Sequence, residues 1–136
     1  MEFYELSAVH FYSKMAIQAK NEILIISIGE NVSEEVLLAN RDCIQKGVTI
    51  RFIAHKYDKS NREILERWVK MGLKVRHFPD WGFHLVVFDK KVSMLMTNDP
   101  NNTNNRLGMQ IFSEGLSKAL NDYFYFIWEK SQKIDL

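Results

Sequence analysis

Between Leu6 and Ala19 the positions Leu6, Val9, Tyr12, Met15, Ala16 and Ala19 recur at three- and four-residue spacing. That period predicts an amphipathic first helix whose stripe faces a core. The next run, Glu22-Ile23-Leu24-Ile25-Ile26-Ser27-Ile28, is short, β-branched and apolar without alternation. A strand of this kind is covered on both faces, as at the centre of a parallel sheet lying between helices. Gly29 ends it.

Ser33 can accept the free amides of a new helix, Glu34 and Glu35 suit its positive end, and Gly47 permits the left-handed turn that stops it. Val48 to Ala54 then reads as a strand. Ser60-Asn61-Arg62-Glu63 has the form of a capping box, so a further helix is predicted from about Asn61, with Ile64, Leu65, Trp68 and Val69 inward and Gly72 as its stop. Leu73 to Phe78 reads as a third strand. Strand, helix, strand, helix, strand in units of this length requires right-handed crossovers and predicts a mainly parallel sheet.

After His84 the rhythm changes. The strands His84 to Phe88 and Val92 to Thr97 are separated only by Asp89-Lys90-Lys91, which predicts an antiparallel hairpin. Asp99 to Arg106 is polar and asparagine-rich, and reads as a loop. Beyond the apolar stretch Met109 to Phe112, Ser113 can cap a last helix with Leu116, Leu120, Tyr123, Phe124, Ile127 and Trp128 on its inner side.

No repeat, linker or charge block divides the 136 residues, and a 46% hydrophobic content suits one compact domain spanning 1–136. Eighteen basic against seventeen acidic residues leave a net charge of +1. The overall balance therefore lacks the footprint of a stand-alone nucleic-acid binder, although it leaves room for local basic patches. The single cysteine, Cys43, allows no intramolecular disulfide and argues against a zinc site, so a reducing cytoplasm is expected and no cofactor or metal is implied. No apolar run approaches the roughly 20 residues needed to cross a bilayer, and Glu2 and Glu5 stand where a signal peptide would be basic. A soluble chain is expected, with no membrane partner.

The candidate chemistry centres on Gly82 to Asn98, a segment that resembles the phospholipase D motif H-x-K-x-x-x-x-D followed by a strand and an asparagine. In that family the histidine is the nucleophile, and the lysine and asparagine hold phosphate oxygens. Setting Asp89 and Asn98 on the motif's aspartate and asparagine puts Gly82 at the nucleophile and His84 at the lysine. Starting from His84 instead puts Val86 at the lysine and Lys91 at the aspartate. Neither register supplies the required groups, since phosphodiester transfer needs a nucleophile and a general acid. His84 then reads as a satisfied or cleft-lining residue, and its odd spacing from Asp89 points the two to opposite faces.

Arg51, Arg76 and His77 either converge near the sheet ends to hold an anion or a sugar or are solvated strand-edge residues. His10 and His55 read as exposed and carry no motif. Pro79-Asp80-Trp81-Gly82 is a turn signal, with Trp81 as a lid or a packed loop residue, and Asn101 to Arg106 is either a ligand contact or a surface loop.

Taken together, the opening helix leading into Ala19-Lys20-Asn21-Glu22-Ile23-Leu24-Ile25, the segments Gly47-Val48-Thr49-Ile50-Arg51 and Gly72-Leu73-Lys74-Val75-Arg76, the hairpin at Val87-Phe88-Asp89 and the ending Phe126-Ile127-Trp128-Glu129 resemble the phospholipase D-like middle domain of archaeal TrmB-type transcriptional regulators. The resemblance spans most of the chain. It implies a three-layer α/β sandwich, mainly parallel with an antiparallel hairpin, that has lost its catalytic motif and binds an effector or dimerises. It also implies a homodimer, a sugar or anion as effector, and DNA contact only through a separate domain outside these residues. The expected ligand set is Arg51, Arg76, His77, His84 and Asn98. The alternative is a phosphodiesterase or nuclease of the phospholipase D superfamily with a divergent site at His84.

Overall fold

The structure, a computed structural model, describes residues 2–29, 33–79, 83–97 and 107–134; side chains are described from Ala8 onward and, in the last of these segments, from Gly108. Its centre is the apolar run of the sequence. Strand β2 (Glu22–Ser27) sends Ile23 and Ile25 to one face and Leu24 and Ile26 to the other, and all four are buried. The absence of alternation in the sequence thus corresponds to a strand covered on both sides.

Two helical crossovers build the parallel part of the sheet. Helix α2 (Glu34–Gln45) leads from β2 into β3 (Thr49–Ala54), and α3 (Arg62–Met71) leads from β3 into β4 (Lys74–His77). The three strands run parallel, with Glu22 opposite Thr49 and Ile53 opposite Arg76. On the other side of β2 lies the hairpin of β5 (Phe83–Phe88) and β6 (Val92–Thr97), followed by β7 (Leu107–Ile111) and the edge strand β1 (Glu2–Tyr4). Strand β8 (Gln132–Lys133) closes the far edge beside β4. The sheet order is β1-β7-β6-β5-β2-β3-β4-β8.

This order corrects the expectation of a mainly parallel sheet. Only β2 with β3 and β3 with β4 are parallel; the pairings of β1, β5, β6, β7 and β8 are all antiparallel. The reason is that only α2 and α3 act as crossovers, and each yields one parallel pair. Strands β1 and β8 are three and two residues long, too short for a periodic signal.

Helix α1 (Glu5–Gln18) packs with α2 and α3 on one face of the sheet. There Phe11, Tyr12, Ala16, Cys43, Leu65 and Trp68 meet Ile23, Ile25, Ile50, Phe52, Val86 and Phe88. Helix α4 (Glu114–Lys130) covers the other face, with Phe124, Ile127 and Trp128 on Leu24, Ile26, Ile53, Leu85 and Val87. The result is three layers. Phe124 and Trp128 are consumed by this packing while Phe126 is exposed, and Leu116, expected on the inner side, is exposed because it lies in the first turn.

The caps divide the same way. Ser33 Oγ accepts the Val36 amide and Ser113 Oγ accepts the Leu116 amide, both at 3.2 Å, as their sequences predict. The capping box at Ser60 does not form. Ser60 donates its amide and hydroxyl to Asp58 Oδ1 at 2.7 and 2.6 Å, and Asn61 occupies the cap position without a side-chain capping bond. Asp58 lies two residues before Ser60 and captures it locally.

Candidate functional site

The carboxyl ends of β2, β3 and β4 and the start of β5 share one end of the sheet, the position where open α/β sheets place their ligands. Gly29 follows β2 here with φ +86° and only 3.0 Å between an added Cβ and that of Ala54, so a side chain has no room. Asn61, 1% exposed, spans two loops by donating Nδ2 to the carbonyls of Gly29 at 2.9 Å and Lys56 at 2.7 Å. Tyr57 and His77 face each other at 5.9 Å between ring centroids. Thus the β2–α2 and β3–α3 connections are tied into one rim.

His55 belongs to this end and corrects the reading of it as exposed. It is buried, with Nδ1 3.0 Å from the Phe78 carbonyl and Nε2 3.3 Å from the Phe83 carbonyl. One imidazole therefore bridges the end of β4 and the beginning of β5. Ile26, Phe83, Tyr123 and Ile127 line a small cleft beside it. No motif surrounds His55 in the sequence, so its role depends on strands brought together by the fold. His10 is exposed, as read, and lies 3.3 Å from Glu35.

His84 is buried on the α1–α3 side of β5, sharing its face with Val86 and Phe88. His77 lies on the same face of β4, beyond β2 and β3, which at strand spacing places the two about 14 Å apart. Asn98, Trp81, Gly82 and the segment 101–106 lie outside the described residues.

Arg51 and Arg76 project to the opposite, α4 face, so the anticipated convergence with His77 does not occur. Arg51 lies 3.3 Å from Glu22 Oε2, which also accepts the Tyr125 hydroxyl at 2.8 Å. Burial and then this hydrogen bond push the Tyr125 phenol up to about 12. Arg76 stacks its guanidinium 4.3 Å above the Trp128 ring and donates to the Trp128 carbonyl at 2.8 Å. The alternating directions of strand residues put the two arginines on one face and His77 and His84 on the other. Both arginines clamp α4 to the sheet.

Asp89 sits at the other end of β5, about 16 Å of strand from His84. Its Oδ1 accepts the amides of Asn21 at 2.8 Å and Glu22 at 2.9 Å, and its Oδ2 accepts that of Lys20 at 2.8 Å. The carboxylate thereby holds the entry into β2 against the hairpin turn. Among the described residues no group of three histidine, cysteine or acidic side chains is placed to hold a metal ion, and no helix is long and apolar enough to cross a membrane.

The same three-layer arrangement occurs in solved structures. Nuc from Salmonella typhimurium, a phospholipase D family member, superposes with a TM-score of 0.79 at 12% identity, over 100% of this chain and 97% of Nuc. NucT from Helicobacter pylori gives 0.78 at 13% identity over 98% of both chains. TrmBL2, an archaeal chromatin protein described as showing a novel mode of DNA binding, gives 0.71 at 17% identity over 98% of this chain. The chain spans 52% of the TrmBL2 length. These likenesses establish a phospholipase D-like fold. A search of curated proteins by sequence found no match. The family described as "Transcriptional regulator TrmB, EBD N-terminal subdomain", EBD denoting the effector-binding domain, matches residues 7–135. With nearly its whole length so matched, the chain belongs to the TrmB transcriptional-regulator family, as the N-terminal subdomain of the effector-binding domain.

Proposed function

We propose that this chain is a non-catalytic effector-binding domain of an archaeal-type, cytoplasmic TrmB-like regulator, and that it forms a homodimer. The observation that carries this reading is the separation of the motif along β5. Asp89 is engaged with three backbone amides at one end, while His84, at the motif's lysine position, is a buried imidazole near the other. An imidazole packed into the helix-covered face does not present the compact cation with which a lysine holds phosphate. Gly82, at the nucleophile position, has no side chain to attack phosphorus. The rim at the carboxyl ends of the parallel strands remains as a binding place. His77, His84 and Asn98 are the candidate contacts to a sugar or anion, with Arg51 and Arg76 supporting the site by holding α4.

The test pairs two measurements. A chromogenic phosphodiester without added metal is expected to show no turnover by the parent, and turnover that disappears in His84→Ala would establish the phosphodiesterase reading instead. Thermal unfolding against a panel of sugars and phosphorylated sugars is expected to show a raised midpoint for at least one, because a ligand that binds only the folded state stabilises it. A midpoint that no compound moves would favour an interaction module without a small ligand.

A further inference from the structure

The end of the sheet opposite His55 and His84 gathers positive charge. Lys20 precedes β2, Lys46 precedes β3, Lys74 opens β4, and Lys90 and Lys91 form the β5–β6 turn; all five are exposed. Since β5, β2, β3 and β4 are successive neighbours, these lysines form a row about 14 Å long at strand spacing. Three nearby acids are already engaged, and Glu114, after β7, lies two strands beyond the row. Asp89 accepts three amides, Glu22 pairs with Arg51, and Asp42 lies 3.6 Å from Arg41. Glu34, Glu35, Asp58 and Glu63 lie toward the other end.

Part of this arrangement has a local explanation. The carboxyl ends of α1, α2 and α3 point to the lysine end and contribute roughly half a negative charge each, which cations offset. Lys46 does so directly, with Nζ 2.9 Å from the Ile17 carbonyl. Lys74, Lys90 and Lys91 lie in no helix turn. Lys90 also has φ 61°, in a hairpin turn where glycine or asparagine adopts the left-handed conformation at lower cost.

We propose that this lysine end is a sequence-independent contact for the phosphate backbone of duplex nucleic acid, additional to any separate DNA-binding domain. A row of this length spans about four phosphate intervals of one strand at 3.4 Å of helix axis each, and so about five phosphates. Lysine ammonium groups act there as point charges and read no bases. The connecting segments 19–21, 46–48, 72–74 and 89–91 contain no aromatic residue, and their apolar side chains Ala19, Val48 and Leu73 are buried. These segments themselves offer no stacking platform of the kind on which single strands are held; the nearest exposed ring, Phe112, stands past Val92 in the groove with Phe11 and Met15. A bilayer surface is disfavoured too, because the exposed apolar side chains at this margin, Ile17 in α1, Val69 in α3 and Phe112 after β7, stand on three separate elements, where interfacial binding needs one continuous apolar face.

The test is fluorescence anisotropy of a labelled mixed-sequence duplex of about 24 base pairs at 50 and 200 mM salt. With five phosphate contacts the expected log–log salt slope is about −4.5, a loss of on the order of 500-fold in affinity over that range. The variant K74Q/K90Q/K91Q is expected to bind more weakly, with a slope of about −1.8. K59Q/R62Q/K130Q removes the same charge toward the other end of the sheet and is expected to keep the parent slope. Equal behaviour of the two triple variants would overturn the proposal by assigning the effect to net charge. So would absence of saturable duplex binding at the lower salt, or binding to vesicles of equal parts phosphatidylcholine and phosphatidylserine under conditions where the duplex does not bind.

Discussion

Asp89 and Glu22 hold each other through two hydrogen bonds: the Glu22 amide donates to Asp89 Oδ1 at 2.9 Å, and the Asp89 amide donates to the Glu22 carbonyl at 3.0 Å. The pair joins the central parallel strand to the hairpin that follows the crossovers. Asp89 has φ 53°, a left-handed conformation that aspartate and asparagine tolerate better than most residues.

Replacing Asp89 by alanine is expected to destabilise the fold by about 2 kcal/mol, combining lost amide partners with left-handed strain. Asp89→Asn should cost less, since asparagine keeps one acceptor and the conformation. Urea unfolding followed by circular dichroism measures both. Equal losses would show that the side-chain oxygen is unimportant.

Tyr12 donates its hydroxyl to Asn40 Oδ1 between α1 and α2, and both residues are buried. Tyr12→Phe leaves a buried acceptor and is expected to cost about 1–3 kcal/mol. The double variant Tyr12→Phe/Asn40→Leu should cost less than the sum of its parts, because it removes both polar groups. Additive losses in the same unfolding experiment would mean the two side chains are not coupled.

Alkaline pH should weaken the fold from about pH 10 upward. The Tyr125 phenol titrates at about 12 in the folded chain against 10.0 for an ordinary tyrosine. Between those values the unfolded chain has released a proton that the folded chain retains, so stability is intact below pH 10 and falls as pH rises toward 12. Tyr12 is shifted upward as well, first by burial. Urea midpoints measured from pH 8 to 11.5 should decline less steeply in Tyr125→Phe than in the parent; parallel profiles would remove Tyr125 as a cause.

The proposed homodimer has a concrete surface to test. Phe112 is 61% and Leu116 47% exposed, and Phe112 borders an open groove with Phe11, Met15 and Val92. Large exposed apolar side chains close together mark interaction sites. Sedimentation velocity at high micromolar concentration should give a dimer for the parent and a monomer for Phe112→Glu/Leu116→Glu. A monomeric parent would exclude the dimer, and a dimeric variant would move its interface elsewhere.

Much of the site's framework was legible because its signals are local. The strand–helix–strand rhythm, the hairpin across Asp89-Lys90-Lys91 and the caps at Ser33 and Ser113 each depend on residues a few positions apart. Ser60 misled because Asp58, just upstream, offered a competing acceptor. Arg51, Arg76 and His77 looked equivalent along the chain, yet strand alternation and the position of α4 put the two arginines on one face and His77 on the other.

What the sequence determined by itself was the kind and order of its main elements, the double-sided burial of β2 and the identities of Gly82 and His84 where the resemblance sets the motif's nucleophile and lysine, since period, caps and side-chain identity are properties of short segments. What only the tertiary structure decided was the partnering. Tyr125 meets Glu22 across 103 positions, Asp89 meets Lys20 across 69, and five lysines from four segments line one sheet end. Such contacts arise from strand order, and strand order is settled by which apolar faces bury each other across the whole chain, a choice that no short window of residues contains.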